Sequence, residues 1–300
     1  MITVSELTAR AARGPRLTVG PVTLTVEAGT KTALVGKPDA GPPLLLAVLA
    51  GALAPRSGSA RVGDAPASAG PAVAYVPYDA QLPGFLRVAD YLDVAARVRG
   101  EPRVPPQERL AVLGVAALAD RRIGRLATPE ARAVALVEAL TSARARVLLL
   151  EEPLADVDPR AVGRVQGLVD ERARAGVTVV VSTASHADAR ALGDALVFFH
   201  DGKVAGRATR DDAWQPPRTE GAEGPGRARV QLLIRSEGAR LLLAELAADP
   251  TFDEVWAAGV EVVATGKDPV AMAASVATAT RHANVELDLL TFMGGADGET

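Results

Sequence analysis

TALVGKPDAGPPLLLAVLA, residues 32–50, is the stretch that decides how this chain folds. An apolar strand, 32–35, leads into a turn rich in Gly and Pro, and an apolar helix starts at two adjacent prolines, which suit a first helical turn. Gly36 and Gly41 have the spacing of the phosphate-binding loop G-x-x-x-x-G-K-[ST], whose backbone N–H groups and helix N-terminus hold phosphates. The stretch therefore predicts a strand–loop–helix unit with the outline of a nucleotide site.

The loop lacks the groups that would hold a phosphate. Pro42 stands where the pattern has Lys and Pro43 where it has Ser or Thr, so an ammonium, a hydroxyl and two N–H donors are missing. Asp39 adds negative charge, and Lys37 lies at the wrong end of the loop. Since each lost hydrogen bond to a charged group is worth about 1.5–3 kcal/mol, we predict that ATP and Mg²⁺ bind weakly or not at all. The candidate nucleotide-contacting residues are Gly36, Lys37, Asp39, Ala40, Gly41, Pro42 and Pro43.

Composition and charge exclude several classes of protein. The chain has 300 residues, a formal net charge of −3 and no cysteine. A nucleic-acid surface would need clustered positive charge, so we expect no nucleic-acid partner. The lack of cysteine excludes disulfides and thiolate chemistry and fits an intracellular protein. No secretory signal is visible, and the longest apolar run, 44–54, is far shorter than the about 20 residues that span a bilayer, so a membrane role requires a partner chain.

Strand and helix patterns alternate over the first two thirds of the chain. Strands are predicted at 22–26, 32–35, 72–77, 146–150, 177–181, 195–199 and 203–205, and helices at 42–50, 88–100, 106–119, 130–140, 160–175 and 187–192. Continuous apolar strands such as 146–150 are typical of a parallel sheet that is buried on both faces. The alternation therefore predicts an α/β domain with a mostly parallel sheet over residues 1–214.

A second domain is predicted after a change in composition. Residues 215–227 are rich in Pro, Gly and Glu and poor in apolar residues, which predicts a linker. Beyond it, strands are predicted at 230–234, 255–256, 260–263 and 285–290, and helices at 240–248 and 269–282. The order β-α-β-β-α-β is the ferredoxin-like pattern, so residues 228–300 are predicted to form a small α+β domain.

An apolar strand that ends in two glutamates follows later in the chain. The strand LLL at 148–150 ends in Glu151-Glu152-Pro153, and Asp158-Pro159 comes shortly after. Taken alone, the two glutamates are more simply solvated acids at a strand end. Together with the loop, these pieces resemble the ATP-binding subunits of ABC transporters, above all those of actinobacterial drug exporters of the daunorubicin-resistance type. The resemblance covers about residues 4–206, and the small C-terminal domain fits the same subgroup.

The resemblance implies roles for individual residues. Glu151 takes the Mg²⁺-coordinating position, one methylene longer than the family's Asp, and Glu152 takes the position of the general base. The segment LATPE at 126–130 stands in place of the family's LSGGQ signature; Thr128 keeps a hydroxyl for nucleotide contact, and Glu130 puts a carboxylate where a phosphate would approach. His186 lies two residues beyond the family's catalytic His position. The alternative for His186 is an exposed histidine without a function.

The resemblance also implies a fold and partners. The fold is that of a P-loop NTPase of the ABC ATPase type, with a helical subdomain at about 79–126. The partners are a transmembrane permease subunit and a second cassette, giving either a homodimer or a heterodimer with an intact ABC ATPase. The chain would then be cytoplasmic, at the inner face of the cell membrane.

Three hypotheses for function remain open. Because nearly every motif is degenerate, the first is a pseudo-ATPase with an assembly or regulatory role in a transporter of the export type. The alternative is an active export ATPase with atypical nucleotide contacts. The third is a scaffold detached from any transporter.

Overall fold

The structure, a computed structural model, describes residues 1–11, 17–68, 70–210, 230–236, 238–258, 261–266, 268–283, 285, 287 and 289–293. The chain divides into two units, Met1–Arg218 and Thr219–Thr300. The predicted linker at 215–227 lies outside the described residues, so the predicted domain boundaries stay predictions. Within the ranges described, no helix is long and apolar enough to cross a membrane.

The first unit alternates strands and helices. Its strands are β1 (Ile2–Arg10), β2 (Thr18–Val26), β3 (Lys31–Val35), β4 (Ser57–Val62), β5 (Ala65–Pro66), β6 (Val73–Val76), β7 (Val147–Glu151), β8 (Thr178–Thr183), β9 (Ala195–His200) and β10 (Lys203–Thr209). Its helices are α1 (Pro42–Leu49), α2 (Val88–Arg99), α3 (Pro106–Ala111), α4 (Thr128–Leu140), α5 (Pro159–Arg174) and α6 (His186–Leu192). Each predicted strand and helix of this unit overlaps one of these elements.

A six-stranded sheet forms the centre of the first unit. Its order is β10-β9-β3-β8-β7-β6, and every neighbouring pair is parallel except β10 with β9. All five residues of β7 are buried. Leu148 and Leu150 belong to the core that contains α4, whereas Leu149 belongs to the core that contains α1. Helices therefore cover both faces of the sheet, which confirms the predicted mostly parallel α/β architecture.

A second sheet was not predicted. It is antiparallel, with the order β2-β1-β4-β5. The pattern of β1 is broken by register shifts after Val4 and Ser5, and Glu6 has a positive φ of 45°. Strand β4 reads SGSARV and buries only Ala60. Neither strand therefore carries the regular apolar alternation from which a strand is predicted.

The helix predicted at 106–119 is wrong in its second half. Helix α3 ends at Ala111, and a short 3-10 turn, Ala116–Leu118, follows. Gly114 lies between them with a φ of +78°, the left-handed conformation that terminates helices. The apolar spacing continues through Gly114, so periodicity alone overran the helix end.

The second unit has the predicted ferredoxin-like order. Its elements are β11 (Val230–Arg235), α7 (Ala239–Ala247), β12 (Phe252–Ala258), β13 (Glu261–Gly266), α8 (Pro269–Ala283) and β14 (Leu289–Met293). The strands pair antiparallel in the order β12-β13-β11-β14. Leu232, Leu242 and Met272 are fully buried in a core shared by the sheet and both helices. The last strand begins at Leu289 rather than at the predicted position 285.

Candidate functional site

Four loops meet at one edge of the central sheet. Strands β3, β8, β7 and β6 are neighbours in that order and run parallel, so the loops that follow them lie side by side. This edge carries the predicted phosphate loop, Glu151 with Glu152, and the start of α6 at His186. Thr128 follows none of these strands and is the exposed first residue of α4.

The loop after β3 uses its own backbone donors. A 3-10 turn, Pro38–Ala40, lets the Ala40 N–H donate to the Lys37 carbonyl at 2.9 Å. The Gly36 N–H donates to the Thr183 carbonyl at 3.1 Å, which joins the loop to the end of β8. The three prolines of the loop have no N–H at all. The loop therefore offers fewer backbone donors to a phosphate than the same loop without prolines would offer.

The end of the loop is filled by an imino-acid ring. Gly41 has a φ of +105°, and a Cβ there would lie 2.8 Å from a side-chain carbon of β2, so glycine is required. Helix α1 begins at Pro42, which is buried, and Pro43 follows half-buried in its first turn. Lys37 and Asp39 are exposed. Pro42 thus takes the sequence position of the loop lysine as a short, buried side chain without an ammonium.

Both carboxylate oxygens of Glu151 are bonded inside the protein. The Tyr75 hydroxyl donates to Oε1 at 2.5 Å, and the Tyr78 N–H donates to Oε2 at 3.0 Å. Burial raises the pKa of Glu151, and these two donors oppose the rise. Nowhere in the described ranges do three or more His, Asp or Glu side chains come together to hold a metal ion. Glu151 therefore joins the end of β7 to β6 and the loop after it, and its role as a Mg²⁺ ligand stays a prediction.

Glu152 is bonded in the same way to the end of β8. The Thr183 hydroxyl donates to its Oε2 at 2.9 Å, and the Ala184 N–H donates to its Oε1 at 2.8 Å. Its own N–H donates to the Ser182 carbonyl at 2.8 Å, and its φ is +42°. Burial raises the pKa of the Glu152 carboxyl. The residue in the general-base position is thus part of a strand-to-strand connection.

Replacing Glu152 by Gln is expected to stabilise the chain at about pH 8, and the gain should vanish toward about pH 4. The pKa of Glu152 is higher in the folded chain than in the unfolded chain. The neutral carboxyl group therefore favours folding below the unfolded pKa, and this stabilisation is lost as the pH rises through the folded pKa. Gln stays neutral, and the Thr183 hydroxyl can turn to accept from its amide. Urea unfolding at both pH values measures the difference. A wild type that is more stable than Glu152→Gln at about pH 8 would contradict this prediction.

Arg132 is the central residue that sequence reasoning missed. It lies on α4, is only 5% exposed, and its guanidinium donates to backbone carbonyls after β6 and at the end of β7. The one signal in the sequence is an arginine flanked by apolar residues within a predicted helix. Tyr75 and Tyr78 were also missed as partners of Glu151.

The N-terminus of α4 carries its own negative charge. Glu130 accepts from the Ala127 N–H at 2.8 Å and forms an ion pair with Arg121. The Ala127 N–H, followed by the Arg121 guanidinium, holds the pKa of Glu130 below its usual value. Thr128 is exposed in this turn. A carboxylate thus already occupies the helix end at which an anion would bind.

His186 is the first residue of α6, and Ser185 caps that helix by accepting from the Asp188 N–H at 3.1 Å. The His186 ring stacks on Phe198, with centroids 5.8 Å apart and planes 24° apart. The histidine therefore packs against strand β9 at the site edge. Its catalytic role stays a prediction.

Comparison with known proteins identifies the family. The profile of the family described as ABC transporter matches residues 19–155. The aliphatic sulfonates import ATP-binding protein SsuB of Cupriavidus necator is 33% identical over 222 residues, which are 71% of this chain and 71% of that protein. The Fe(3+) ions import ATP-binding protein FbpC of Rhizobium etli is 29% identical over 65% of this chain. The chain spans only 58% of the length of that iron protein.

Solved structures agree on the fold. An ATP-binding subunit of an ABC transporter superposes with a TM-score of 0.62 at 22% identity, over 70% of this chain and 90% of that one. A dimeric ATP-binding cassette in a post-hydrolysis state with ADP and Pi superposes with a TM-score of 0.63 at 16% identity, over 71% of this chain and 100% of that one. At these low sequence identities, the two superpositions show a shared fold and nothing further. Sequence and fold together place this chain in the family of ABC transporter ATP-binding subunits.

Proposed function

We propose that this chain is a pseudo-ATPase, a cassette subunit with an assembly or regulatory role in a transporter. The main observation behind this proposal is that the side chains expected to bind Mg²⁺ and ATP are either replaced or hydrogen-bonded to other parts of the protein. Pro42 fills the position of the loop lysine, and all four carboxylate oxygens of Glu151 and Glu152 accept hydrogen bonds from neighbouring strands and loops. The residues present therefore do not fit Mg²⁺-ATP.

Phosphoryl transfer depends on positioning and charge stabilisation, which explains why these losses matter. The loop lysine and the metal ions neutralise charge on the transferred group, and a further residue orients the nucleophile. Glu152 keeps the base position, but a base without a bound and polarised phosphate has nothing to act on. Glu130 places a carboxylate, paired with Arg121, at the start of α4. These features support weak or absent ATP hydrolysis and weak or absent binding of ATP and Mg²⁺.

The proposed partners follow from family membership. A cassette subunit works with a transmembrane permease, so we place this chain at the cytoplasmic face of a membrane through that partner. The second cassette of the proposed dimer is another copy or an intact ABC ATPase. The drug-exporter type stays a prediction from the sequence resemblance, since the relatives compared above carry import names.

An active transport ATPase with atypical contacts is the second candidate. The retention of Glu152 at the base position favours it, as does Lys37, an exposed cationic residue of the loop. This candidate requires that ATP displace the internal bonds of Glu151 and Glu152. It therefore predicts measurable nucleotide affinity, which the first proposal does not.

Titration of the full chain with a fluorescent ATP analogue and Mg²⁺ separates the two candidates. We expect no saturable binding in the micromolar range, and we expect phosphate release by wild type and Glu152→Gln to be equal and at background. Removal of the base has no effect on a reaction that does not occur. Micromolar binding together with turnover that is abolished by Glu152→Gln would overturn the pseudo-ATPase proposal.

A further inference from the structure

Arg132 joins helix α4 to two loops at the site edge. One of its terminal nitrogens donates to the carbonyls of Pro77 and Tyr78, at 2.8 and 3.3 Å. The other donates to the Glu152 carbonyl at 2.9 Å and to the Glu151 carbonyl. The side chain is 5% exposed. One buried guanidinium therefore bonds to four backbone carbonyls from two loops, an arrangement that its planar fork of donors suits.

Tyr78 connects the same two loops a second time. Its ring centroid lies 5.8 Å from the guanidinium carbon of Arg132. Its hydroxyl donates to Asp156 Oδ2 at 2.6 Å, and its N–H donates to Glu151 Oε2 at 3.0 Å. Asp156 has a positive φ of 55°, in the left-handed region that Asp tolerates, and its carboxylate is held by the Tyr78 hydroxyl. The loop after β6 and the loop after β7 are thus fixed to each other as well as to α4.

We infer that Arg132 is a positioning residue that orders the loops after β6 and β7, at 77–79 and 152–156, without any ligand. The four carbonyls that it satisfies are held in one arrangement, and α4 is held with them. Bound nucleotide is therefore not needed to order these loops.

This inference does not depend on whether the chain hydrolyses ATP. The contacts of Arg132 are made with main-chain atoms and would exist in an active or an inactive cassette. If loop order depends on Arg132 and nucleotide binds measurably, the proposed function is wrong and the role of Arg132 stands. If loop order does not depend on Arg132 and no nucleotide binds, the role of Arg132 is wrong and the proposed function stands.

Arg109 offers a matched control for Arg132. It is 6% exposed, against 5% for Arg132, and it also donates several hydrogen bonds. Its partners are the Thr141 hydroxyl at 2.8 Å and the carbonyls of Leu92 and Glu138, both at 3.1 Å. All of them lie on or beside helices α2 and α4 and none at the site edge. Replacing Arg109 therefore removes a buried guanidinium of the same kind without touching the two loops.

Hydrogen exchange of the full chain tests the inference with Arg132→Met and Arg109→Met. The amides to follow are those of Tyr78, Ala155 and Ala184, which donate to Glu151 or Glu152. In Arg132→Met we expect these amides to exchange about 10-fold faster or more than in wild type, since buried bonds to a charged group are lost. In Arg109→Met their exchange should stay as in wild type.

Arg132→Lys keeps the test decisive if Arg132→Met does not fold. Lysine keeps the positive charge but offers a point charge in place of the planar fork, so it cannot bond to both loops in the same way. We expect this variant to show faster exchange at the same three amides and wild-type exchange in β8. Two results would overturn the positioning role of Arg132. One is equal amide exchange in wild type and Arg132→Lys, and the other is exchange at the three amides that is as fast in Arg109→Met as in Arg132→Met.

Discussion

Replacing Pro42 by Lys and Pro43 by Ser is expected to raise the affinity for Mg²⁺-ATP by about 100-fold or more and to leave ATP turnover at background. The double change restores an ammonium, a hydroxyl and two backbone N–H donors at the start of α1. Even two recovered bonds to a charged group account for this gain.

Turnover is expected to stay absent because the other losses remain. Glu151 is held by Tyr75 and Tyr78, and Glu130 keeps its charge at the N-terminus of α4. Hydrolysis needs a positioned metal and a stabilised phosphoryl group, and neither substitution supplies them. Affinity is measured with a fluorescent ATP analogue and turnover by phosphate release.

The control variant carries Ala at both proline positions. It restores the two backbone N–H donors but neither the ammonium nor the hydroxyl, so we expect a gain in affinity well below that of the Lys and Ser variant. Equal affinities would mean that the backbone alone limits binding. Strong ATPase activity in the Lys and Ser variant would mean that the α4 N-terminus has less influence than its charge indicates.

The strands of the central sheet could be predicted from the sequence because each strand carries its own local pattern of apolar residues. The run ending in Glu151 is apolar at every position before the acid, and such a run has one good explanation, a parallel strand buried on both faces. The loop between β3 and α1 is defined by the spacing of Gly36 and Gly41, which is also local. The antiparallel sheet was missed for the same reason. Its strand β4 is exposed at most positions and carries no local signal.

The bonding of the site residues was beyond the reach of the sequence. Tyr75 and Glu151 are 76 positions apart, and Thr183 and Glu152 are 31 positions apart. Such pairs meet only because β6, β7 and β8 end at the same edge of the sheet. Glu151 and Glu152 were predicted as a metal ligand and a base from their place in a motif. Which donors reach their oxygens depends on the neighbouring loops, and those belong to other parts of the chain.

Leu149→Ala is expected to lower the free energy of unfolding by about 3–5 kcal/mol. Leu149 is 0% exposed in the middle of β7, and it pairs with Tyr75 on β6 and Val180 on β8. Because strands hold it on both sides and α1 covers its face of the sheet, the surroundings cannot collapse into the space left by the lost side chain. Urea unfolding followed by far-UV circular dichroism measures the loss.

Two further variants identify the cause of that loss. Leu149→Met keeps the volume and should cost less than about 1.5 kcal/mol. Val98→Ala removes methyl groups from a side chain that is 81% exposed on α2, and it should stay within about 0.5 kcal/mol of wild type. Since β7 carries Glu151 and Glu152 at its end, Leu149→Ala should also speed hydrogen exchange at the amides that bond to them. A loss below about 1 kcal/mol for Leu149→Ala would contradict the packing of β7 between two covered faces, on which the geometry of the site depends.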